Sequence, residues 1–134
     1  MEEKMKTKKG KLKVIVEKTN TGFSAYADKY PVFTAGETIA ELTENAVDAF
    51  NLYYDDEGIE VKASNIELYF DLELFFKYYP VINSRYLADR IGMHPTLLSQ
   101  YVNGKKKASD KQTKRIMLGI HEIGKELSEL NLMA

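Results

Sequence analysis

Apolar and polar residues group into short, distinct patterns along this chain. Leu12-Lys-Val-Ile-Val-Glu-Lys18 is rich in branched apolar side chains and predicts a strand. Thr19-Asn-Thr-Gly22 is a turn cluster, and Phe23-Ser-Ala-Tyr-Ala27 alternates as the return strand of a hairpin. Pro31-Val-Phe-Thr34 suggests a shorter third strand. Thr38 and Glu41 have the spacing of a capping box, in which each residue satisfies a free backbone donor of the other. The helix they open places Ile39, Leu42, Ala46, Ala49, Phe50 and Tyr53 along one apolar face and ends at Asp55-Asp-Glu-Gly58. Asn65-Ile-Glu-Leu-Tyr-Phe70 alternates again and predicts a strand closing the sheet.

From Asp71 the period becomes helical. Leu72, Phe75, Phe76 and Tyr79 mark a helix stopped by Pro80. Ser84 to Gly104 reads as two short helices joined at Gly92, a residue able to take the left-handed conformation of a sharp helix exit. Ala88 is small where the helices cross, Pro95 suits a first helical turn, and Leu98 anchors the second helix. Ser109 and Gln112 repeat the capping-box spacing and open a long last helix. Its apolar positions Ile116, Ile120, Ile123, Leu127 and Leu130 form a heptad-like seam. That seam fits either a dimer interface or a face packed on the preceding helices. Gly119 and Gly124 each weaken the helix by about 1 kcal/mol relative to alanine, so it needs tertiary or partner support.

The pattern predicts an α+β chain. A flexible basic arm (1–10) precedes a small antiparallel sheet of three or four strands with one backing helix (11–70). An all-α helix-turn-helix domain follows (71–134). The 134 residues suit one or two small domains. There is no cysteine, hence no disulfide framework or thiol chemistry. No apolar run reaches membrane-span length, and the lysine-rich start lacks a signal-peptide core, which implies a cytoplasmic protein.

Charge sharpens this picture. The net charge is only −1, but residues 83–115 carry eight basic side chains against two acidic ones, whereas residues 11–82 carry six against thirteen. A basic segment around the paired helices suits phosphate. An acidic segment suits a cationic partner.

Leu87-Ala-Asp89, Ile91-Gly-Met93 and Val102-Asn-Gly104 resemble the Cro/phage-repressor class of DNA-binding domains, whose second helix enters the major groove. A helical hairpin with no DNA role is the plainer alternative. On a helix from Pro95, the residues Thr96, Ser99 and Gln100 share one face and are candidates to reach base edges, and Leu97 a thymine methyl. Ser84, His94, Asn103, Lys105, Lys106 and Lys107 are candidates for phosphate contacts.

Phe23-Ser-Ala-Tyr26 and Gly36-Glu-Thr-Ile-Ala-Glu-Leu-Thr-Glu-Asn-Ala-Val-Asp-Ala-Phe50 resemble the HicB antitoxin family. Where that family usually carries a Pro-Asp-x-Pro-Gly turn, this chain has Asp28-Lys-Tyr-Pro-Val-Phe33. The resemblance implies a partial RNase H-like fold without nuclease activity. It also implies a toxin–antitoxin role: neutralising a small basic RNA-cleaving HicA-like toxin and repressing the operon as a homodimer, or higher even oligomer, on double-stranded DNA. Glu41, Glu44 and Asp48, outward on the first helix, are the expected toxin contacts. A stand-alone repressor whose first domain senses a ligand or oligomerises is the alternative.

No catalytic constellation is apparent. His94 falls at a helix start, and His121 in the last helix has no ligand-spaced partner for a metal. Asp55, Asp56 and Glu57 lack EF-hand spacing, and only Glu17 and Glu67 lie on strands where a nuclease would need carboxylates. Neither enzyme activity, cofactor, metal nor membrane association is expected.

Overall fold

A computed structural model describes residues 5–134. The chain divides into two compact units, one ending at Phe70 and one beginning at Asp71. The first is built on strands β2 (Leu12–Lys18), β3 (Phe23–Ala27), β4 (Phe33–Gly36) and β6 (Ile66–Tyr69), in the order β4-β3-β2-β6. Helix α1 (Ile39–Tyr53) covers one face. Alternate residues of β2 and β3, namely Leu12, Val14, Val16, Phe23, Ala25 and Ala27, point to that face and are buried with Leu42, Ala46 and Phe50. This alternation is the reason the strands form where the sequence places them.

The sheet is mixed, not antiparallel as expected. β2–β3 and β3–β4 are antiparallel hairpin pairs, but β6 runs parallel to β2, Leu12 opposite Ile66 and Ile15 opposite Tyr69. The chain reaches β6 through α1, and a helical crossover returns a strand in the parallel sense. Gly36 lets the chain turn tightly into α1, because a Cβ there would lie 2.6 Å from the Leu42 nitrogen.

The expected arm is also corrected. Residues 1–4 lie outside the described residues, but β1 (Lys6–Thr7) pairs in parallel with β5 (Ile59–Glu60). The Lys6 and Lys8 amides donate to Gly58 O and Glu60 O, each at 2.8 Å. Asn65 holds the segment down. Its buried amide donates to Lys8 O (3.0 Å) and Gly10 O (2.9 Å), while its Oδ1 accepts from Lys62 N (2.9 Å). Asn51 clasps both backbone groups of Val61, at 2.6 and 3.1 Å. At the end of α1 the expectation for Tyr53 moves one residue: Tyr53 is 45% exposed, whereas Tyr54 is 6% exposed against Tyr30 and Phe50. Burial, then a hydrogen bond with Tyr30, raises the Tyr54 phenol above its ordinary range.

The second unit is all helical: α2 (Leu72–Tyr78), α3 (Ser84–Ile91), α4 (Pro95–Val102) and α5 (Asp110–Glu129). Each has a side-chain N-cap. Asp71 accepts from Leu74 N, Asn83 from Tyr86 N, His94 from Thr96 N and Ser109 from Gln112 N. For the two expected capping boxes, Thr38–Glu41 and Ser109–Gln112, the forward bond forms, at 3.1 and 3.2 Å.

Phe76, Leu87, Ala88, Met93, Leu98, Tyr101, Ile116 and Ile123 make the core of this unit. The α5 seam is therefore corrected as a dimer interface. Ile116 is wholly buried and Ile123 is 8% exposed in their own unit, with Ile120 packed beside them. Leu127 and Leu130, at 56% and 63%, stay exposed. The seam turns inward because α5 meets α3 at Gly119, where a Cβ would collide with Ile91 and stand 3.0 Å from Leu87 Cδ1. Among the described residues, no helix is long and apolar enough to cross a membrane.

Candidate nucleic-acid interface

The link between α3 and α4 is fixed from three directions. Gly92 is left-handed (φ 69°), and its N–H closes back on α3. The Met93 N–H donates to Ala88 O at 2.9 Å. From α5, Arg115 donates to Ile91 O (2.6 Å) and Gly92 O (2.8 Å), which neutralises the negative end of α3. Leu98 and Ala88, both fully buried, set the contact between the two helices.

Helix α4 starts at Pro95 under the His94 cap, whose Nδ1 accepts from Thr96 N at 3.2 Å. With Leu98 and Tyr101 buried, the opposite face carries Thr96 and Ser99, exposed, Gln100, half-buried, and Asn103, exposed at the helix end. Asn103 Nδ2 donates to Ser99 Oγ at 3.2 Å, so these two side chains form one polar unit. Leu97 is not the exposed apolar contact expected. It is half-buried against the core of its own unit, and Ser84 is half-buried one residue after the Asn83 cap. Gly104 then turns the chain with φ 71°, and the Lys105 and Lys106 amides both donate to Gln100 O, at 2.9 and 3.2 Å. The start of the lysine run is thereby tied to the end of α4.

The basic surface is smaller than the sequence count. Arg90 is bound to Glu126 and lies 3.7 Å from Glu122, both on α5, and it also donates to Tyr86 Oη. The hydrogen bond to Glu126, with the carboxylate charge, holds the guanidinium pKa above its ordinary range, and the Glu126 carboxyl is pushed down in return. Arg115 serves the turn. Arg85, Lys105, Lys106, Lys107, Lys111 and Lys114 remain exposed and uncommitted. Glu73 of α2 lies over Gly104, its carboxylate oxygen 2.7 Å from where a Cβ would stand, and sets a negative charge beside the lysines.

Sequence reasoning missed Arg115, Asn83 and Glu73. An asparagine before a helix is a readable cap signal. Arg115 and Glu73 act across 23 or more residues, and nothing local marks them. In the first unit Glu41, Glu44 and Asp48 are exposed on α1. Among the described residues, every buried side-chain nitrogen and oxygen has a hydrogen-bond partner, and no group of three or more His, Asp or Glu residues is placed to hold a metal ion. The chain matches no protein-family model and no curated protein.

Proposed function

We propose that the chain is a cytoplasmic, DNA-binding antitoxin of the HicA/HicB type. In this reading α3 and α4 form a helix-turn-helix, and α4 lies in the major groove of an operator. Thr96, Ser99 and Gln100 read base edges, while His94, Asn103, Lys105, Lys106 and Lys107 meet phosphates. The first unit, as a partial RNase H-like domain, covers a small basic RNA-cleaving toxin, and the complex represses its own operon.

One observation carries the reading. A polar row of Thr96, Ser99, Gln100 and Asn103 is presented on a helix fixed at both ends, beside six uncommitted cations. Rigid placement of a few side chains is what base readout needs, and clustered lysines supply the salt-dependent affinity. A single recognition helix reads only a few base pairs, so two copies on a palindrome are required. Leu127 near the end of α5 and Leu130 just past it remain exposed and available to join them.

Selection of binding sites from random duplex DNA tests the proposal. The expected result is a palindromic site bound with a steep salt dependence. Binding with no sequence preference would overturn operator recognition.

A further inference from the structure

The register of the first unit sets Phe33 opposite Tyr26, Tyr26 opposite Ile15, and Ile15 opposite Tyr69. These four side chains form one row across all four strands, on the face away from α1. Strand spacing makes the row roughly 14 Å long. Phe33 is 76% exposed, Tyr26 and Tyr69 are exposed, and Ile15 is half-buried. Large aromatic side chains in a contiguous exposed row are the usual anchors of protein interfaces.

The rim of the row is acidic. Strand alternation places Glu17 and Glu67 on the same face, and Asp28 borders it, its N–H donating to Lys13 O at 3.1 Å. Lys13 is the cation that the strands themselves place on this face, with Lys29 next to Asp28 and Lys11 tied to Ser64 O at the strand start. The Tyr69 hydroxyl donates to Glu67, and the Lys13 Nζ stands 4.6 Å from the centroid of the Tyr69 ring. That contact also shows that the row receives a cation on a ring face.

We propose that this sheet face docks a small basic protein, with arginine or lysine side chains over the rings and paired to the carboxylate rim. The inference rests on the antitoxin reading and places the toxin contact on the sheet, not on Glu41, Glu44 and Asp48 of α1. The three carboxylates disfavour the phosphates of a nucleic acid. A second copy of the face would bring carboxylates against carboxylates.

The test is a nuclear magnetic resonance titration of the labelled full chain with a short peptide alternating arginine and leucine. The expected shifts centre on Ile15, Tyr26, Phe33 and Tyr69. Tyr26→Ala with Phe33→Ala should weaken binding about tenfold. Glu17→Lys with Glu67→Lys, which leaves the Tyr26 and Phe33 rings in place, should do the same. Shifts confined to α1, the same shifts with single-stranded RNA, shifts on concentrating the chain alone, or no shifts would each overturn the proposal.

A basic protein encoded beside this chain separates the two readings. If both variants neutralise it as well as the parent, the sheet face is refuted and the antitoxin role stands. If the peptide docks on the sheet and the parent chain binds no such protein, the docking face stands and the antitoxin role fails.

Discussion

Both units use helix caps, Thr38 at α1 included, and long-range clasps, Arg115 at the α3–α4 turn included, but the balance between the two differs. In the second, each helix start is satisfied by a side chain immediately before it: Asp71, Asn83, His94 and Ser109. In the first, the irregular segments are clasped by side-chain amides, Asn65 reaching 55 and 57 residues back to Gly10 and Lys8, and Asn51 ten residues forward to Val61. Local caps give short, stiff helices whose outer faces are free to carry recognition residues. The amide clasps hold the separate β1–β5 pair and the approach to β6, and one broad face of the four-stranded sheet stays open. The difference fits the proposed division of labour, in which the second unit would read DNA and the first would cover a protein.

The largest test of this contrast is Phe50→Ala. It removes a fully buried ring from the first core and should cost about 3–5 kcal/mol there. Calorimetry should then resolve an early transition for residues up to Phe70 and leave the second unit's transition in place. A single shifted transition would mean that the units do not stand apart energetically. Asn65→Ala strips two part-buried backbone carbonyls and one N–H of their partner and should cost about 1–3 kcal/mol. Amide exchange at Lys6 and Lys8 should rise well before that of β2; unchanged protection would show that the β1–β5 pairing does not depend on the clasp.

On the second unit, Gln100→Ala should lose about 1–3 kcal/mol of discrimination at one operator position. An equal loss on all sequences would remove Gln100 from base readout. Lys106→Ala should weaken specific and random DNA alike and lower the salt slope by about one. An unchanged slope would take that lysine out of the interface.

The smallest effect is expected at the Arg90–Glu126 pair. The Glu126 carboxyl titrates below its unfolded value because of Arg90, so its contribution is present above the ordinary carboxylate range. It is lost as pH falls through the folded pKa. Both groups face solvent, so the effect is screened. Glu126→Gln should reduce the acid sensitivity of the second unit's melting, and an identical pH profile would show that the pair adds nothing.

Much of this protein was fixed by local chemistry that the sequence displays. Alternation in β2 and β3 named the inward residues, and Gly92, Pro95 and Leu98 placed the α3–α4 turn. The helical period put Thr96, Ser99 and Gln100 on one face. Each of these follows from sterics and periodicity within a few residues. Tertiary structure decided what depends on partners distant in sequence. It made β6 parallel, turned the Lys6–Thr7 segment into a strand, and drew Ile116, Ile120 and Ile123 into their own core across Gly119. It also withdrew Arg90 and Arg115 from the basic surface and aligned Phe33, Tyr26, Ile15 and Tyr69. A strand pattern shows which side chains face inward but not which strand lies beside it or in which direction that strand runs, and a charge count does not reveal which charges are already paired.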